Sequence, residues 1–320
     1  GNLGDAAQPA AIAALLRAAT SRSLDIRATT WMATDPYPFP AALTLGPDTI
    51  LEPALLDGFD LLLLAGGGLF APLHFPLLHP AWLACLAASG LPYGLLGVGV
   101  AQSLAAEAGT DWQALLAGAA FRSGRDGTSL AAMPGAEWLP DPVLVAGLRE
   151  GGGQPRPAAP PGARPLCIVK RPAHASEASF LAAVTALGPA VDVVATEPRR
   201  DRDQCPGLRY PASMGELRRL CAEASIVVSA RYHGCIAALL EGVPCLGIGP
   251  GKSATLFAEL GAPERFLRHA GDLAQHLGAP PEPLPAAAFD PFRAAADATL
   301  AGLGRLLDGL TRRREDTGLN

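Results

Sequence analysis

The first half of the chain alternates short apolar runs with segments in which apolar residues recur every three or four positions. A continuous apolar run that stops at glycine is typical of a strand buried on both faces of a parallel sheet. Recurrence at helical spacing predicts an amphipathic helix between such strands. The pattern therefore predicts strands at residues 24–30, 60–65 and 93–99, and helices at residues 10–19, 81–89 and 112–119.

The second half of the chain repeats this alternation. Strands are predicted at residues 166–170, 191–195, 225–230 and 245–248, and helices at residues 175–187, 214–224, 235–241 and 291–312. Strands that alternate with helices along the whole chain are typical of a doubly wound parallel sheet. The pattern therefore predicts an α/β fold in both halves.

A stretch rich in glycine and proline separates the two halves, and it has too few apolar side chains to belong to a core. The length of 320 residues favours two domains, at a typical size of about 150 residues per domain. We predict an N-terminal domain at residues 1–150, a linker at 151–165, a second domain at 166–285, and a C-terminal helix and tail at 286–320.

Composition narrows the class of partner. The net charge of −5 disfavours a nucleic-acid partner. The six cysteines include no C-x-x-C pair, which favours a reducing, cytoplasmic compartment and no structural zinc. No apolar run reaches the roughly 18 residues that cross a bilayer, so no integral membrane segment is predicted.

The chain opens with the residues GNLGD, a glycine-containing turn that leads into a helix. Such a turn usually follows a strand, so a first strand is either trimmed away ahead of Gly1 or not recognised in the sequence. The turn itself suits an anion at the helix N-terminus. Asp5 would repel a phosphate, so it could orient a sugar hydroxyl, act as a base or cap the helix.

The strongest candidate site follows the predicted strand at residues 225–230, because ligands of open α/β sheets lie beyond the carboxyl ends of strands. Arg231 and His233 lie there, at the start of the next helix. A guanidinium suits a carboxylate or phosphate, and an imidazole can donate a proton. Lys252 follows the next strand and adds a cation at the same edge.

Two further features have both a structural and a functional explanation. Gly66, Gly67 and Gly68 could present backbone amides to an anion or a sugar, or they could only form a tight turn. Arg125, within a polar segment at residues 122–129, could pair with Asp126 as an ordinary salt bridge or bind an anion in a cleft between the domains.

Several kinds of chemistry are disfavoured by missing motifs. The chain contains no H-E-x-x-H motif, no P-loop and no clustered cysteine and histidine ligands, so no metal is predicted. It also contains no G-x-G-x-x-G fingerprint after a strand, which disfavours a nicotinamide cofactor. We therefore predict no cofactor.

Several motifs resemble those of the polysaccharide pyruvyl transferase family, in order over residues 1–260: GNLGDAA, DLLLLAGGGLF, RSGRDGTS and SARYHGCIAALLEGVPCLGIGPGK. The resemblance implies two Rossmann-like domains in a GT-B-like arrangement around an interdomain cleft. It implies transfer of a pyruvyl group from phosphoenolpyruvate to a sugar of a polysaccharide or its precursor. The expected products are a pyruvate ketal and phosphate, and a lipid-linked oligosaccharide acceptor would allow peripheral contact with a membrane.

The resemblance also assigns roles to residues of this chain. His233 and Asp5 are expected to be catalytic, with His233 as a general acid and Asp5 as a candidate base. The expected substrate-binding residues are Arg125, Arg231 and Lys252, which the resemblance supports, and Asn2, Gly66, Gly67 and Gly68, which lie in glycine-containing turns.

Two alternative functions stay open at this point. A GT-B glycosyltransferase with a nucleotide-sugar donor would have the same fold class and a similarly basic cleft. A non-catalytic glycan-binding or scaffold protein would bind a glycan and transfer nothing. Binding of phosphoenolpyruvate or of a nucleoside diphosphate discriminates the first alternative, and the effect of replacing His233 discriminates the second.

Overall fold

The computed structural model describes residues 3–30, 41–44, 53–70, 80–101, 103–104, 109–201, 208–249 and 251–317. The chain divides into two compact units. The first unit comprises Gln8–Ala146 and Phe292–Asn320, and the second comprises Gly1–Ala7 and Gly147–Pro291. This division differs from the predicted one, because the first seven residues and the predicted linker both belong to the second unit.

The first unit contains a parallel sheet with strand order β3-β4-β5-β6 and a separate parallel pair, β1-β2. The strands are β1 (Ala28–Thr30), β2 (Ala41–Thr44), β3 (Leu62–Ala65), β4 (Tyr93–Val98), β5 (Phe121–Gly124) and β6 (Glu137–Trp138). The helices are α1 (Leu3–Ala19), α2 (Pro80–Ser89), α3 (Gly109–Gly118), α4 (Gly127–Ala132), α5 (Pro142–Arg149) and α12 (Asp290–Thr317), and the unit boundaries fall within α1, α5 and α12. A short 3₁₀ turn lies at Pro53–Leu56.

Strand β5 corrects one prediction. Residues 122–124 were assigned to a polar segment in which no strand was predicted, yet they pair with both β4 and β6. The Ser123 hydroxyl accepts a hydrogen bond from the Gly97 amide at 2.9 Å and donates to the Leu95 carbonyl at 3.3 Å. A hydroxyl that both donates and accepts a hydrogen bond can be buried in a sheet without the cost of an unpaired polar group. The polarity of this segment therefore did not indicate that it lies outside a strand.

The second unit contains a parallel sheet with strand order β11-β10-β9-β7-β8. The strands are β7 (Leu166–Val169), β8 (Asp192–Ala195), β9 (Val227–Ser229), β10 (Cys245–Ile248) and β11 (Phe266–Leu267). The helices are α6 (Ala175–Leu187), α7 (Pro198–Asp201), α8 (Met214–Glu223), α9 (Tyr232–Leu240), α10 (Lys252–Glu259) and α11 (Leu273–Gly278). Short 3₁₀ turns lie at Gly188–Ala190, Pro263–Arg265, Ala270–Asp272 and Ala286–Phe289.

The central strands of the second unit are buried throughout, as the apolar runs predicted. Helix α9 is buried from His233 to Leu240, so it lies inside the unit rather than on its surface. Gly234 makes this packing close, because a Cβ there would lie 2.8 Å from Ile168 Cδ1 of β7.

The predicted linker is attached to the second unit by polar contacts. The Gly153 amide donates to the Leu240 carbonyl at 2.9 Å, and the Arg156 amide donates to the Gly242 carbonyl at 3.0 Å. The Arg156 guanidinium also donates to the Ala222 carbonyl at 2.5 Å. Backbone groups and one arginine make these contacts, so hydrophobic patterning could not predict them.

Within the described residues, no helix combines the length and the apolar character needed to cross a membrane.

Candidate functional site

The strand order of the second unit places a topological switch point, a usual position for a ligand site, between β7 and β9. Strand β7 comes first in the chain and lies between β8 and β9, so successive crossovers leave β7 and β9 in opposite directions along the sheet. Ligands of open α/β sheets bind beyond the carboxyl ends of the strands that flank such a switch point. The residues that follow here are Lys170 after β7 and Ala230 to His233 after β9.

His233 is the second residue of α9, and its side chain is buried. The turn that precedes it is tight. The Ser229 hydroxyl donates to the Arg231 carbonyl at 2.8 Å and accepts from the Arg231 amide at 3.0 Å. The Tyr232 ring meets the imidazole edge to face, with 5.2 Å between the ring centroids. The imidazole is therefore held at a helix start beside the switch point.

Gly4, in the first turn of α1, packs directly on the His233 ring. A Cβ on Gly4 would lie 2.7 Å from Cε1 of His233 and closer still to Cγ and Nδ1. The Leu3 amide fixes this turn by donating to the Thr196 carbonyl beyond β8 at 3.0 Å. Gly4, the second glycine of the opening GNLGD segment, therefore allows the first turn of α1 to approach the candidate acid His233 closely. Its position in the sequence alone did not indicate this role.

Arg231 has two carboxylate partners. Its Nη1 donates to Glu197 at 2.8 Å, and its Nη2 donates to both oxygens of Asp201 at 2.8 and 2.7 Å. The Asp201 side chain is completely buried, and it also accepts the Arg171 amide at 2.7 Å. Both terminal nitrogens of Arg231 are therefore occupied, so in this arrangement the guanidinium anchors the start of α9 to α7 rather than presenting an open anion site.

Sequence reasoning missed Glu197 and Asp201. They lie in the TEPRRD segment after β8, and their meeting with Arg231 depends on β7 lying between β8 and β9. One signal could have suggested the contact. Arg231 was predicted at the end of one strand, and Glu197 and Asp201 follow another strand of the same predicted sheet.

A second ion pair lies at the end of β7. Lys170 Nζ is 2.5 Å from Oε1 of Glu177, whose side chain is almost fully buried. The other carboxylate oxygen of Glu177 accepts the amides of Ala173 at 2.7 Å and His174 at 3.1 Å. Burial by itself would raise the pKa of Glu177, but the hydrogen bonds from Lys170 and these amides lower it below its ordinary value.

The loop after β10 contributes Gly249 and Lys252 to the same edge of the sheet. Gly249 has φ +99°, and a Cβ there would lie 3.3 Å from the Glu177 carboxylate. Lys252 is exposed at the first residue of α10, after Gly251 with φ +95°. Because β10 pairs with β9, the cation at Lys252 follows the strand next to the one that leads to His233.

In the first unit, the other predicted substrate-binding residues have structural partners. Arg125 is buried, and its Nη2 is 3.1 Å from Asp126. Burial tends to raise the pKa of Asp126, but the Arg125 charge and hydrogen bonds from Ser129 lower it overall. The Arg125 guanidinium lies beside Gly99, where a Cβ would be 2.6 Å from Nη2.

The three glycines after β3 form a turn with its own structural requirement. Gly66 and Gly67 have φ of +70° and +61°, a region that favours glycine. The Gly66 amide donates to the Leu96 carbonyl, and the Gly67 carbonyl accepts the Gly99 amide, both at 2.8 Å. The turn alternative therefore accounts for Gly66 and Gly67, while Gly68 has neither feature.

The remaining candidates lie at the start of the chain. Asp5 is exposed in the first turn of α1, one residue after the glycine that contacts His233. Asn2 lies outside the described residues. Among the residues that are described, no group of three or more histidine, cysteine, aspartate or glutamate side chains is placed to hold a metal ion.

Two solved structures with a similar fold are UDP-N-acetylglucosamine 2-epimerases. A UDP-N-acetylglucosamine 2-epimerase matches with a TM-score of 0.57 and 12% identity, over 95% of this chain and 93% of that chain. The UDP-GlcNAc 2-epimerase from Neisseria meningitidis, solved bound to UDP-GlcNAc, matches with a TM-score of 0.54 and 11% identity, over 95% and 97% of the two chains. These matches show the predicted GT-B-like α/β fold.

Sequence comparison identifies the family. No curated protein sequence matches the chain. The sequence profile described as polysaccharide pyruvyl transferase matches residues 2–252, which is more than half of the 320 residues and includes the His233 turn and Lys252. The chain therefore belongs to the polysaccharide pyruvyl transferase family, and by that membership it is a transferase.

Proposed function

We propose that this protein transfers a pyruvyl group from phosphoenolpyruvate to a sugar of a polysaccharide or of its lipid-linked precursor. The observation that carries the proposal is the placement of His233: a buried imidazole at a helix start, beside the switch point of the sheet and next to strand ends that carry Lys170 and Lys252. Phosphoenolpyruvate is a small, highly charged anion, so its donor site needs cations close to a proton donor.

In the proposed mechanism, His233 as imidazolium donates a proton to the methylene carbon of phosphoenolpyruvate. The central carbon, which bears the carboxylate and the phosphate, becomes oxocarbenium-like, and a sugar hydroxyl attacks it. A second hydroxyl of the same sugar then displaces phosphate and closes the ketal. Each hydroxyl loses one proton: one of these protons restores the imidazolium, and the other is taken up by the released phosphate.

The other residues have different kinds of support. Lys252 is proposed to bind the donor, since it is an exposed cation that follows β10, the strand paired with β9. Arg231 is proposed to hold the start of α9 through Glu197 and Asp201. The resemblance to the family supports a substrate-binding role for Arg125 and a role as base for Asp5. Asn2, Gly66, Gly67 and Gly68 are proposed to bind substrate because they lie in glycine-containing turns.

A cytoplasmic location is part of the proposal. The described cysteines are free and buried, and burial raises the pKa of the Cys167 thiol to about 12. Free thiols of this kind suit a reducing compartment such as the cytoplasm.

The proposed chemistry needs no cofactor.

Calorimetric titration tests the donor assignment. We expect the parent protein to bind phosphoenolpyruvate saturably and to bind uridine diphosphate weakly or not at all. Binding of the nucleotide alone would instead favour a glycosyltransferase, and the UDP-GlcNAc held by the epimerase from Neisseria meningitidis makes this the appropriate competitor.

Phosphate release in the presence of a panel of sugar acceptors tests the role of the imidazole. His233→Gln should lower the rate about 10²-fold or more, as expected for loss of a general acid. His269→Gln is the matched control, because His269 is exposed in the same unit. A full rate in His233→Gln would point to a protein in which this histidine performs no chemistry.

A further inference from the structure

The chain has only two lysines, Lys170 and Lys252, among its 25 basic residues, so the other 23 are arginines. Both lysines lie in the second unit, and both follow strands of its sheet at the carboxyl edge. Lysine is a compact point charge on a flexible stem, whereas arginine is a planar fork, and the two are not interchangeable at a binding site. Lys170 and Lys252 therefore each bring a concentrated positive charge to the same edge of the sheet.

The position of Lys170 meets a second criterion, because it follows β7 directly at the switch point. Its partner Glu177 is only 1% exposed, whereas the Lys170 side chain stays 23% exposed. One carboxylate oxygen of Glu177 receives the ammonium group, and the other receives two backbone amides. The carboxylate is thus fixed from inside the unit, and it directs a partly exposed ammonium group at the edge of the sheet.

The neighbouring cation is engaged differently. Arg231, at the end of β9, has both terminal nitrogens on the carboxylates of Glu197 and Asp201. An ammonium group has three N–H donors, and Glu177 takes up one side of the Lys170 group. At the two strands that flank the switch point, the lysine is therefore the cation better suited to receive an anion.

We propose that Lys170, held by Glu177, binds the phosphate of the donor at the switch point between β7 and β9. This assignment rests on the proposed function. Lysine is a frequent phosphate ligand because its charge is concentrated on one nitrogen. Glu177 is a positioning residue, since it acts through Lys170 and has its other oxygen on the backbone.

The alternative is an ion pair that only stabilises the fold. A single Lys170→Met change cannot separate the two roles, because it leaves the buried Glu177 carboxylate without its counter-charge. The double variant Lys170→Met with Glu177→Gln removes both charges and should regain most of the thermal stability that Lys170→Met loses. Arg171→Met is a matched control, because it removes an exposed cation from the next position.

The readouts are the Kd for phosphoenolpyruvate by calorimetry at fixed ionic strength and the Tm of each variant. We expect the double variant to have a Tm near that of the parent but a Kd raised about 10-fold to 100-fold, as for loss of a hydrogen bond to a charged group. Arg171→Met should bind within about twofold of the parent. A double variant with parental Tm and parental Kd would overturn the assignment of Lys170.

A measurement on the parent protein removes any dependence on how the variants fold. Acetylation of Lys170 by an amine-selective reagent is followed by mass spectrometry with and without phosphoenolpyruvate. Protection of Lys170 by the donor supports the proposal, and unchanged labelling at saturating donor overturns it. A parent protein that binds no phosphoenolpyruvate would instead contradict the proposed function itself, so the two failures are distinguishable.

Discussion

The contact between Gly4 and His233 makes Gly4→Ala the most informative single substitution. The added Cβ would lie within 3.0 Å of three atoms of the imidazole ring. Cβ atoms in folded proteins essentially never come that close to another group, so either the ring or the first turn of α1 must move. The ring is buried and adjoins Tyr232, and the turn is attached through the Leu3 amide to Thr196.

The size of the effect follows from two opposing contributions to the free energy of unfolding. Overpacking costs about 1–3 kcal/mol. Alanine favours a helix over glycine by about 1 kcal/mol, and this gain offsets part of the cost. The catalytic effect should be larger, because a displacement of about 1 Å at a reacting group can lower a rate by around 10²-fold. We therefore expect a small loss of stability and a large loss of rate.

Phosphate release from phosphoenolpyruvate in the presence of an acceptor gives the rate, and urea denaturation gives the free energy of unfolding. NMR of the imidazole Cε1–H signal reports the displacement of His233 without an acceptor. Gly215→Ala is the matched control, because Gly215 lies in α8 of the same unit and its added Cβ would meet Ser213 at an ordinary 3.7 Å. This control should keep the parental rate and become slightly more stable.

The reasoning would be refuted by a Gly4→Ala protein that is more stable than the parent and has a full rate. That result would mean that α1 does not approach His233 closely in solution, and it would remove the argument that Gly4 positions the acid. An unchanged imidazole signal together with a reduced rate would equally contradict it, because the rate loss would then have another cause.

Three further predictions concern the same unit. His233→Gln should leave the Kd for phosphoenolpyruvate within about tenfold while the rate falls about 10²-fold, and an equal loss of both would contradict a role as acid. Asp201→Asn should lower the free energy of unfolding by about 3–5 kcal/mol in urea, because Asp201 is fully buried against Arg231; a change under about 0.5 kcal/mol would show that the pair is dispensable. The pKa of Glu177 lies below its ordinary 4.5 in the folded protein, so its contribution to stability is present above pH 4.5 and is lost as the pH falls through the folded value. Glu177→Gln should therefore flatten the acid limb of the stability curve, and an unchanged limb would show that the pair with Lys170 does not stabilise the fold.

Part of the fold could be predicted from local pattern because the interior of a parallel sheet is apolar on both faces. The helix at residues 175–187 and the strand at residues 245–248 were predicted with the bounds that the structure has. Strand β5 was not, because its interior serine satisfies its hydroxyl with backbone groups rather than by facing water. The pattern of apolar residues does not record which polar groups find partners inside the sheet.

Part of the candidate site could be predicted by the same logic, since residues after buried strands lie at one edge of a parallel sheet. Arg231, His233 and Lys252 are placed there. The partners of Arg231 were not predictable, because Glu197 is 34 positions away along the chain and reaches it only through the order of the strands.

The sequence by itself determined the α/β class, most of the elements and the residue types at the strand ends, because these depend on side-chain periodicity and on short turns. The tertiary structure decided which strand ends are neighbours, which glycine approaches His233, and which cations already have carboxylate partners. These features depend on strand order and on contacts between residues that are far apart along the chain. No local pattern encodes such contacts, so two cations that look alike in the sequence, Arg231 and Lys170, have different surroundings in the folded protein.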